Sequence, residues 1–419
     1  MYAALFLFLV FFNFVESHVP MLNYWDELAT FLVLCWGARD IYRTRRLEKH
    51  EWINWGCLAG LVVIGALGNL VHPGLQPAKA ALVKDVIALC KFPAIFFVLQ
   101  RRECSAEKQT EVIACAAKLS RVIVVVTVVA VVVGRFVDVG FYLNDGRFVP
   151  TFRFAFSHPT FFVSAYAVTA AALLAESVRK NRVYLLLNCF LIFMAQRSKG
   201  HIFVVFLMLF ILLGDELITK ILTLVFGSEE EKIKPGRLLA AAAVLCLAIY
   251  IVGKPRIEAT IAVGYLVPRT ALHIVGIQIL MDFFPLGSGL GTFASYLSGR
   301  YYSNIYDLYG ISNIYGMTRE WYNFISDVFW PYIYGQFGIF GLLIYLKLII
   351  SIFFRQFRAA ITDNARISMA ALWIYALIAS TSEAYFTNGT GVQMALFLGL
   401  FVGYGGQKAV SEKKAIAEE

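Results

Sequence analysis

The stretch Val122-Ile-Val-Val-Val-Thr-Val-Val-Ala-Val-Val-Val133 carries one hydroxyl, on Thr127, and no charge. With its flanks it forms an apolar segment over 109–138, long enough to cross the hydrocarbon of a bilayer, which takes about 20 helical residues. Outward from it the pattern recurs in both directions. Comparable stretches lie near 1–15, 25–42, 54–72, 79–100, 160–178, 181–196, 200–214, 235–253, 331–354, 364–382 and 390–406. The chain reads as an all-α integral membrane protein with about twelve transmembrane helices. Composition agrees, since 59% of residues are hydrophobic and mean hydropathy is +0.70, far above a soluble globular average. The first and eighth stretches are short, so tilting or extension by their flanks is expected. A signal peptide is not indicated at the first. Met1 is followed by Tyr-Ala-Ala with no basic region, and no small-x-small site follows the apolar run.

Charge sets the orientation. The segments 43–49, 101–108, 179–182, 220–237, 355–366 and the tail after 407 hold about twenty Lys and Arg, against about nine in the alternate set. That second set comprises 16–24, 73–78, 139–159, 197–199, 254–330 and 383–389. The alternation places both termini in the cytosol. The net charge of +9 is therefore mainly a topological signature, and no basic patch with interleaved aromatics points to nucleic acid. The seven cysteines, Cys35, Cys57, Cys90, Cys104, Cys115, Cys189 and Cys246, fall in helices or a cytosolic loop. No disulfide and no thiolate metal site is expected from them. No internal duplication of the kind found in inverted-repeat transporters is visible.

The connections are uneven. Segment 1–253 holds helices one to nine, 254–330 is an outer loop, and 331–419 holds helices ten to twelve and a cytosolic tail. The loop, of about 77 residues, is too long for a linker and too aromatic for disorder. It opens with an amphipathic stretch, Val267–Phe284, in which Leu272, Val275, Ile279 and Leu280 repeat at helical spacing. The glycine run Pro285-Leu-Gly-Ser-Gly-Leu-Gly291 follows. Next is a tyrosine-dense tract, Tyr296, Tyr301, Tyr302, Tyr306, Tyr309, Tyr315 and Tyr322, with Trp321 and Trp330 nearby. Its rings suit either stacking on sugars or an interfacial aromatic belt.

Five arginines on the outer side run against the usual charge bias and ask for a reason. They are Arg147, Arg153, Arg197, Arg269 and Arg319, with Lys199 close to Arg197. The loop Gly146-Arg-Phe-Val-Pro-Thr-Phe-Arg-Phe-Ala-Phe-Ser-His-Pro159 brackets a tight segment with Arg147 and Arg153 and ends at His158. Pro159 is ordinary punctuation at a helix start, which explains the proline but not the arginines. Gln196-Arg-Ser-Lys-Gly-His201 exposes two cations and a histidine at a helix junction. Snorkelling side chains or an anion at the free N–H groups of the next helix would each account for it. Val267-Pro268-Arg269-Thr270 places a cation at a helix start, where the macrodipole prefers an acid, and an anion shared with that helix end would resolve the conflict. In Glu320-Trp-Tyr-Asn-Phe-Ile-Ser-Asp-Val-Phe-Trp-Pro331, Asp327 stands between Ile325 and Val328. It reads as a proton acceptor with a raised pKa or as the N-cap of the next helix. Within the helices, Lys84 and Asp85 fall in the outer third of helix four as candidate cavity residues, with Lys91 further along. Lys118 and Arg121 lie near the cytosolic end of helix five.

The order of these features is more specific than any one of them. An Arg-rich loop ending in His-Pro precedes an Arg-Ser-Lys turn, an outer Arg before PLGSGLGTF, and Asp327 about nine positions before Gln336-Phe-Gly-Ile-Phe-Gly341. The set resembles the O-antigen ligase and polymerase superfamily, the Wzy-like membrane glycosyltransferases, over about 145–345. The resemblance implies a GT-C-like fold with a large periplasmic loop between helices nine and ten. It also implies action on undecaprenyl-pyrophosphate-linked glycans at the periplasmic face of a bacterial inner membrane, with no cofactor and no metal. Arg197 resembles the family's Ser-Arg-turn arginine and Arg269 its loop arginine, both taken to grip the donor pyrophosphate. Lys199, Arg147, Arg153, His158 and Arg319 are further candidates for that anion. Asp327 stands where the ligases carry a histidine base, and Val328 where the family often has Asn. In these departures the chain looks closer to exopolysaccharide, capsule or O-antigen repeat-unit polymerases.

The residue types suit that chemistry. Guanidinium forks neutralise a pyrophosphate leaving group bidentately, and an acceptor hydroxyl attacking from the opposite face, with Asp327 as base, gives inversion. The expected partners are a lipid-linked glycan donor and acceptor, the bilayer and a chain-length regulator, with no nucleic acid. Two other readings stay open. One is a ligase that moves polymer onto lipid A-core; the other is a transporter or flippase for lipid-linked oligosaccharide.

Overall fold

The computed structural model describes residues 1–102, 104–143, 149–226 and 264–403, with isolated positions between 243 and 262. The expected ninth helix over 235–253, the tail after 407, Cys246 and Arg147 lie outside the described residues. What is described is an all-α protein whose apolar segments are helices. In chain order these are α1 (Tyr2–His18), α2 (Trp25–Thr44), α3 (Lys49–Val71), α4 (Lys79–Leu99), α5 (Ala106–Phe136), α6 (Pro159–Glu176), α7 (Arg182–Met194) and α8 (Ser198–Phe226). After the undescribed segment come α9 (Pro268–Asp282), the short α10 (Tyr296–Arg300) and α11 (Ile305–Leu308), then α12 (Trp330–Ala359), α13 (Asp363–Ser380) and α14 (Gly389–Phe397). The one sheet described is a ribbon of two short strands, β1 (Tyr142–Leu143) and β2 (Thr151–Phe152), paired antiparallel in the loop before α6.

Five helices are long and apolar enough to cross a membrane, namely α3, α5, α6, α8 and α12, and α1, α7 and the Gly389–Val402 segment are shorter apolar helices. Helix α6 is central. It is buried along almost its whole length and packs on α5 and α13, while α13 also packs on α8 and α12 on α3. The eighth apolar stretch leaves the helical path at Gly214, at the expected end, where φ is +71°, and a second helical stretch continues beyond this kink to Phe226. Charges within helices are largely matched. Lys91 Nζ lies 2.7 Å from Asp26 and 2.8 Å from Glu27, and Arg121 lies 2.7 Å from Glu176.

Helix α12 breaks at Gly338, where φ is +62°, and the glycine run fills the break. Ser288 N–H donates to Gly335 O and Gly289 N–H to Gln336 O, both at 2.9 Å, while Ile339 N–H donates to Pro285 O at 3.1 Å. A Cβ on Gly338 would run into the Pro285 carbonyl, so both conformation and space require glycine there. The two glycine motifs therefore clasp one another. Asn69 on α3 completes the clasp, bonding Leu290 through both its amide atoms at 2.8 and 3.0 Å.

The loops separate by charge into two ends. Arg101 joins Asp40 (2.7 Å), Glu51 (2.6 Å), Thr44 and the Arg46 carbonyl, tying Lys/Arg-rich loops together. The Lys/Arg-poor loops meet in a cavity elsewhere, to which Tyr24, His158, Arg197, Arg269 and Glu383 each contribute.

Candidate functional site

The cavity measures about 1750 Å³ and is walled by α4, the starts of α6 and α8, α9, α10 and the residues after α13. Cations outnumber carboxylates along its lining. Lys84, Lys91, Arg197, Lys199, Arg269 and Arg300 face Glu27, Asp85, Asp327 and Glu383.

Each of the principal groups is held by a local feature. His158 is the N-cap of α6, its Nδ1 accepting the Thr160 N–H at 3.2 Å. The other ring nitrogen, Nε2, lies 3.4 Å from Arg197 Nη2, a group that can only donate. Partial desolvation first, then the charges of Arg197, Lys199, Arg269 and Arg153, hold the imidazole down at about 4, so it is neutral near pH 7. Arg197 precedes the first turn of α8, and Lys199 lies within that turn. Lys199 Nζ is buried against Glu383 Oε2 at 2.6 Å. Arg269 occupies the first turn of α9, which Pro268 opens. Its Nη2 donates to Asp327 Oδ2 at 3.0 Å, with side-chain exposures of 48% and 28%. Burial raises the Asp327 carboxyl, and Arg269 and Lys199 pull it back down.

Of the residues expected from the sequence, Arg197, Lys199, Arg269, His158 and Asp327 line this cavity, and Lys84 and Asp85 join them. Two expected residues do not line it. Arg153 donates to Ser157 O at 3.1 Å and Gly140 O at 3.4 Å, so it braces its own loop. Arg319 pairs with Asp307 and lies 4.7 Å over the Tyr302 ring, within the segment between α9 and α12. Asp327, expected as a free base, is engaged by the guanidinium expected to grip the diphosphate. The tyrosine tract also divides. Tyr306 is fully buried and bonds Ser298 and Ala294, and Tyr302 donates to Met317 O, so both belong to the core of the loop. Tyr296 is the member of the tract that lines the cavity.

Sequence reading missed Glu383, the partner of Lys199, and Arg300 at the end of α10. An acid in a loop otherwise free of charge was the available signal for the first. Among the described residues no group of His, Cys, Asp and Glu is placed to hold a metal ion. No family model matches this chain, and no curated protein does.

Proposed function

We propose that this chain is a membrane glycosyltransferase of the polysaccharide-polymerase type. It transfers an undecaprenyl-pyrophosphate-linked glycan onto a lipid-linked repeat unit at the periplasmic face of a bacterial inner membrane. In this reading about twelve helices cross the bilayer in a GT-C-like arrangement with both termini cytosolic. The observation that carries it is the convergence of Arg197, Lys199 and Arg269 with neutral His158 in one large cavity, from segments far apart in sequence.

Oriented cations stabilise charge developing on a departing diphosphate, and guanidinium does so through a pre-set fork of donors. Asp327 holds Arg269 in place before the lipid diphosphate arrives, and Glu383 does the same for Lys199. His158 stands uncharged beside Arg197 and fixes its position. Once the anion occupies the site, the glycosidic bond breaks toward it and the acceptor attacks from the opposite face, with inversion.

The test uses a strain deleted for this protein. Complementation with the native chain restores long polymer, and Arg197→Ala or Arg269→Ala does not, although both accumulate in the membrane. Normal chain length with both variants refutes the proposal. Long polymer retained on the undecaprenyl carrier in the deletion strain favours the ligase. Lipid-linked repeat units trapped on the cytosolic face favour the flippase.

A further inference from the structure

Asp85 is a cavity residue that the reading above leaves without a task. It lies on α4 and is fully buried, yet belongs to the cavity lining. Lys84, Ala88 and Lys91 line the cavity with it, at the three- and four-residue spacing that puts them on one helical face. Its Oδ2 accepts the Gly291 N–H at 3.0 Å, which fixes the carboxylate plane against the glycine run. Its Oδ1 has no partner within hydrogen-bond distance among the described residues, although the side chains of Ser295, Tyr332 and Gln336 are its immediate neighbours. The Tyr332 hydroxyl, also buried and also lining the cavity, faces Asp85 but likewise has no partner within hydrogen-bond distance. Gln336 lies next to the same carboxylate, but its amide is already committed to Gly291 N–H and Phe293 O.

A buried polar atom left without a partner costs about 1–3 kcal/mol, and most folded proteins contain few. Here a carboxylate oxygen and a hydroxyl, neighbours that lie beyond hydrogen-bond distance of any partner, stand together at the wall of a large cavity. That pairing of groups is what a ligand hydroxyl requires, a carboxylate to receive its proton and a phenol to bond its oxygen.

We propose that Asp85 Oδ1 and the Tyr332 hydroxyl bind the attacking hydroxyl of the acceptor sugar, and that Asp85 takes its proton. The inference rests on the transferase reading and deepens it. Asp327 is the less suitable base while its Oδ2 holds Arg269. In the step, the acceptor O–H bond breaks and its proton moves to Asp85. The acceptor oxygen bonds to the anomeric carbon with its freed electron pair. The bond from that carbon to the diphosphate oxygen breaks, and the departing pair stays on the phosphate beside Arg197, Lys199 and Arg269. Asp85 afterwards releases its proton to solvent.

The experiment uses the full chain in lipid nanodiscs. Lipid-linked repeat units extracted from cells lacking this protein serve as substrate, and undecaprenyl diphosphate serves as the binding probe. Asp85→Asn keeps an oxygen for the Gly291 N–H but loses the basic carboxylate. Its rate of chain extension is expected to fall roughly 100-fold or more, with diphosphate binding and thermal stability unchanged. Tyr332→Phe is expected to slow extension several-fold with the same binding. Extension by Asp85→Asn at the native rate overturns the proposal. So does joint loss of diphosphate binding and stability in that variant, which would make Asp85 a strut for the glycine run. Loss of extension with binding intact in Asp327→Asn, but not in Asp85→Asn, returns the base to Asp327. If the native protein extends nothing, the transferase reading falls and this inference with it; an active native protein with an active Asp85→Asn sinks the inference alone.

Discussion

Arg101 and Arg269 are both paired with aspartates from distant elements, yet they are held in opposite ways. Arg101 bonds through Nε, Nη1 and Nη2 to Asp40, Glu51, Thr44 and the Arg46 carbonyl, with its side chain 12% exposed. Arg269 donates one bond, through Nη2 to Asp327, and its side chain is 48% exposed. A guanidinium that bonds through all three of its nitrogens inside the protein is a structural tie. One held at a single point, with its remaining donors toward a cavity, is oriented but still available to a ligand. The chain thus places the same residue type at its two ends for two purposes, and environment rather than identity separates them.

The largest effect expected from breaking this comparison is at Arg101. Arg101→Ala leaves Glu51, whose side chain is 3% exposed, without its counter-charge. A loss of about 3–5 kcal/mol should follow, read as a lower unfolding temperature in detergent and poor recovery from membranes. Arg269→Ala should do the reverse. Chain extension falls about 10²–10³-fold, as for other lost transition-state donors, while the unfolding temperature stays near native. If Arg269→Ala unfolds the protein or Arg101→Ala is stable, the contrast is wrong. Arg269→Lys sharpens it further. The charge remains but the fork does not, and extension should drop roughly tenfold, the loss of one charge-assisted bond from a bidentate pair.

The smallest effect concerns pH. His158 titrates at about 4 in the folded protein against a reference value of 6.5. Between those values the unfolded chain binds the extra proton, so stability falls as pH drops from 6.5 toward 4. Thermal unfolding across that window should show a shallower slope in His158→Gln than in the native chain. Equal slopes would mean that neither burial nor the neighbouring cations hold this ring down.

Much of the helix layout was legible because lipid-facing segments need only length and hydrophobicity. The stretches read at 79–100, 331–354 and 364–382 became α4 (Lys79–Leu99), α12 (Trp330–Ala359) and α13 (Asp363–Ser380). The end read at 214 falls on Gly214, whose backbone leaves the helical region, whereas the helix that resumes beyond it was not legible, because local sequence does not fix the path of the chain after such a glycine. At the site, Arg197, Arg269 and Asp327 were recognisable as polar groups out of place beside a membrane. Their pairing was not. Arg269 meets Asp327 across 58 positions, and Arg319 is drawn away by Asp307 from a neighbouring turn. Such choices depend on how the segment between α9 and α12 folds on itself, which has no periodicity to read. The tyrosines show the same limit, since Tyr306 is internal and Tyr296 borders the cavity although both come from one tract.

The clasp between the glycine run and the break in α12 has a consequence for how this protein can be dissected. The backbone groups released at Gly338 find their partners in residues 285–289, inside a helix long and apolar enough to cross a membrane. The segment between α9 and α12 is therefore not an independent domain that can be cut away, exchanged with that of another protein or produced alone in water. Excision would strand amides of α12 in hydrocarbon, and the excised piece would lose the scaffold that shapes its own turns. Any dissection of the chain has to carry the membrane helix and the segment above it as one unit.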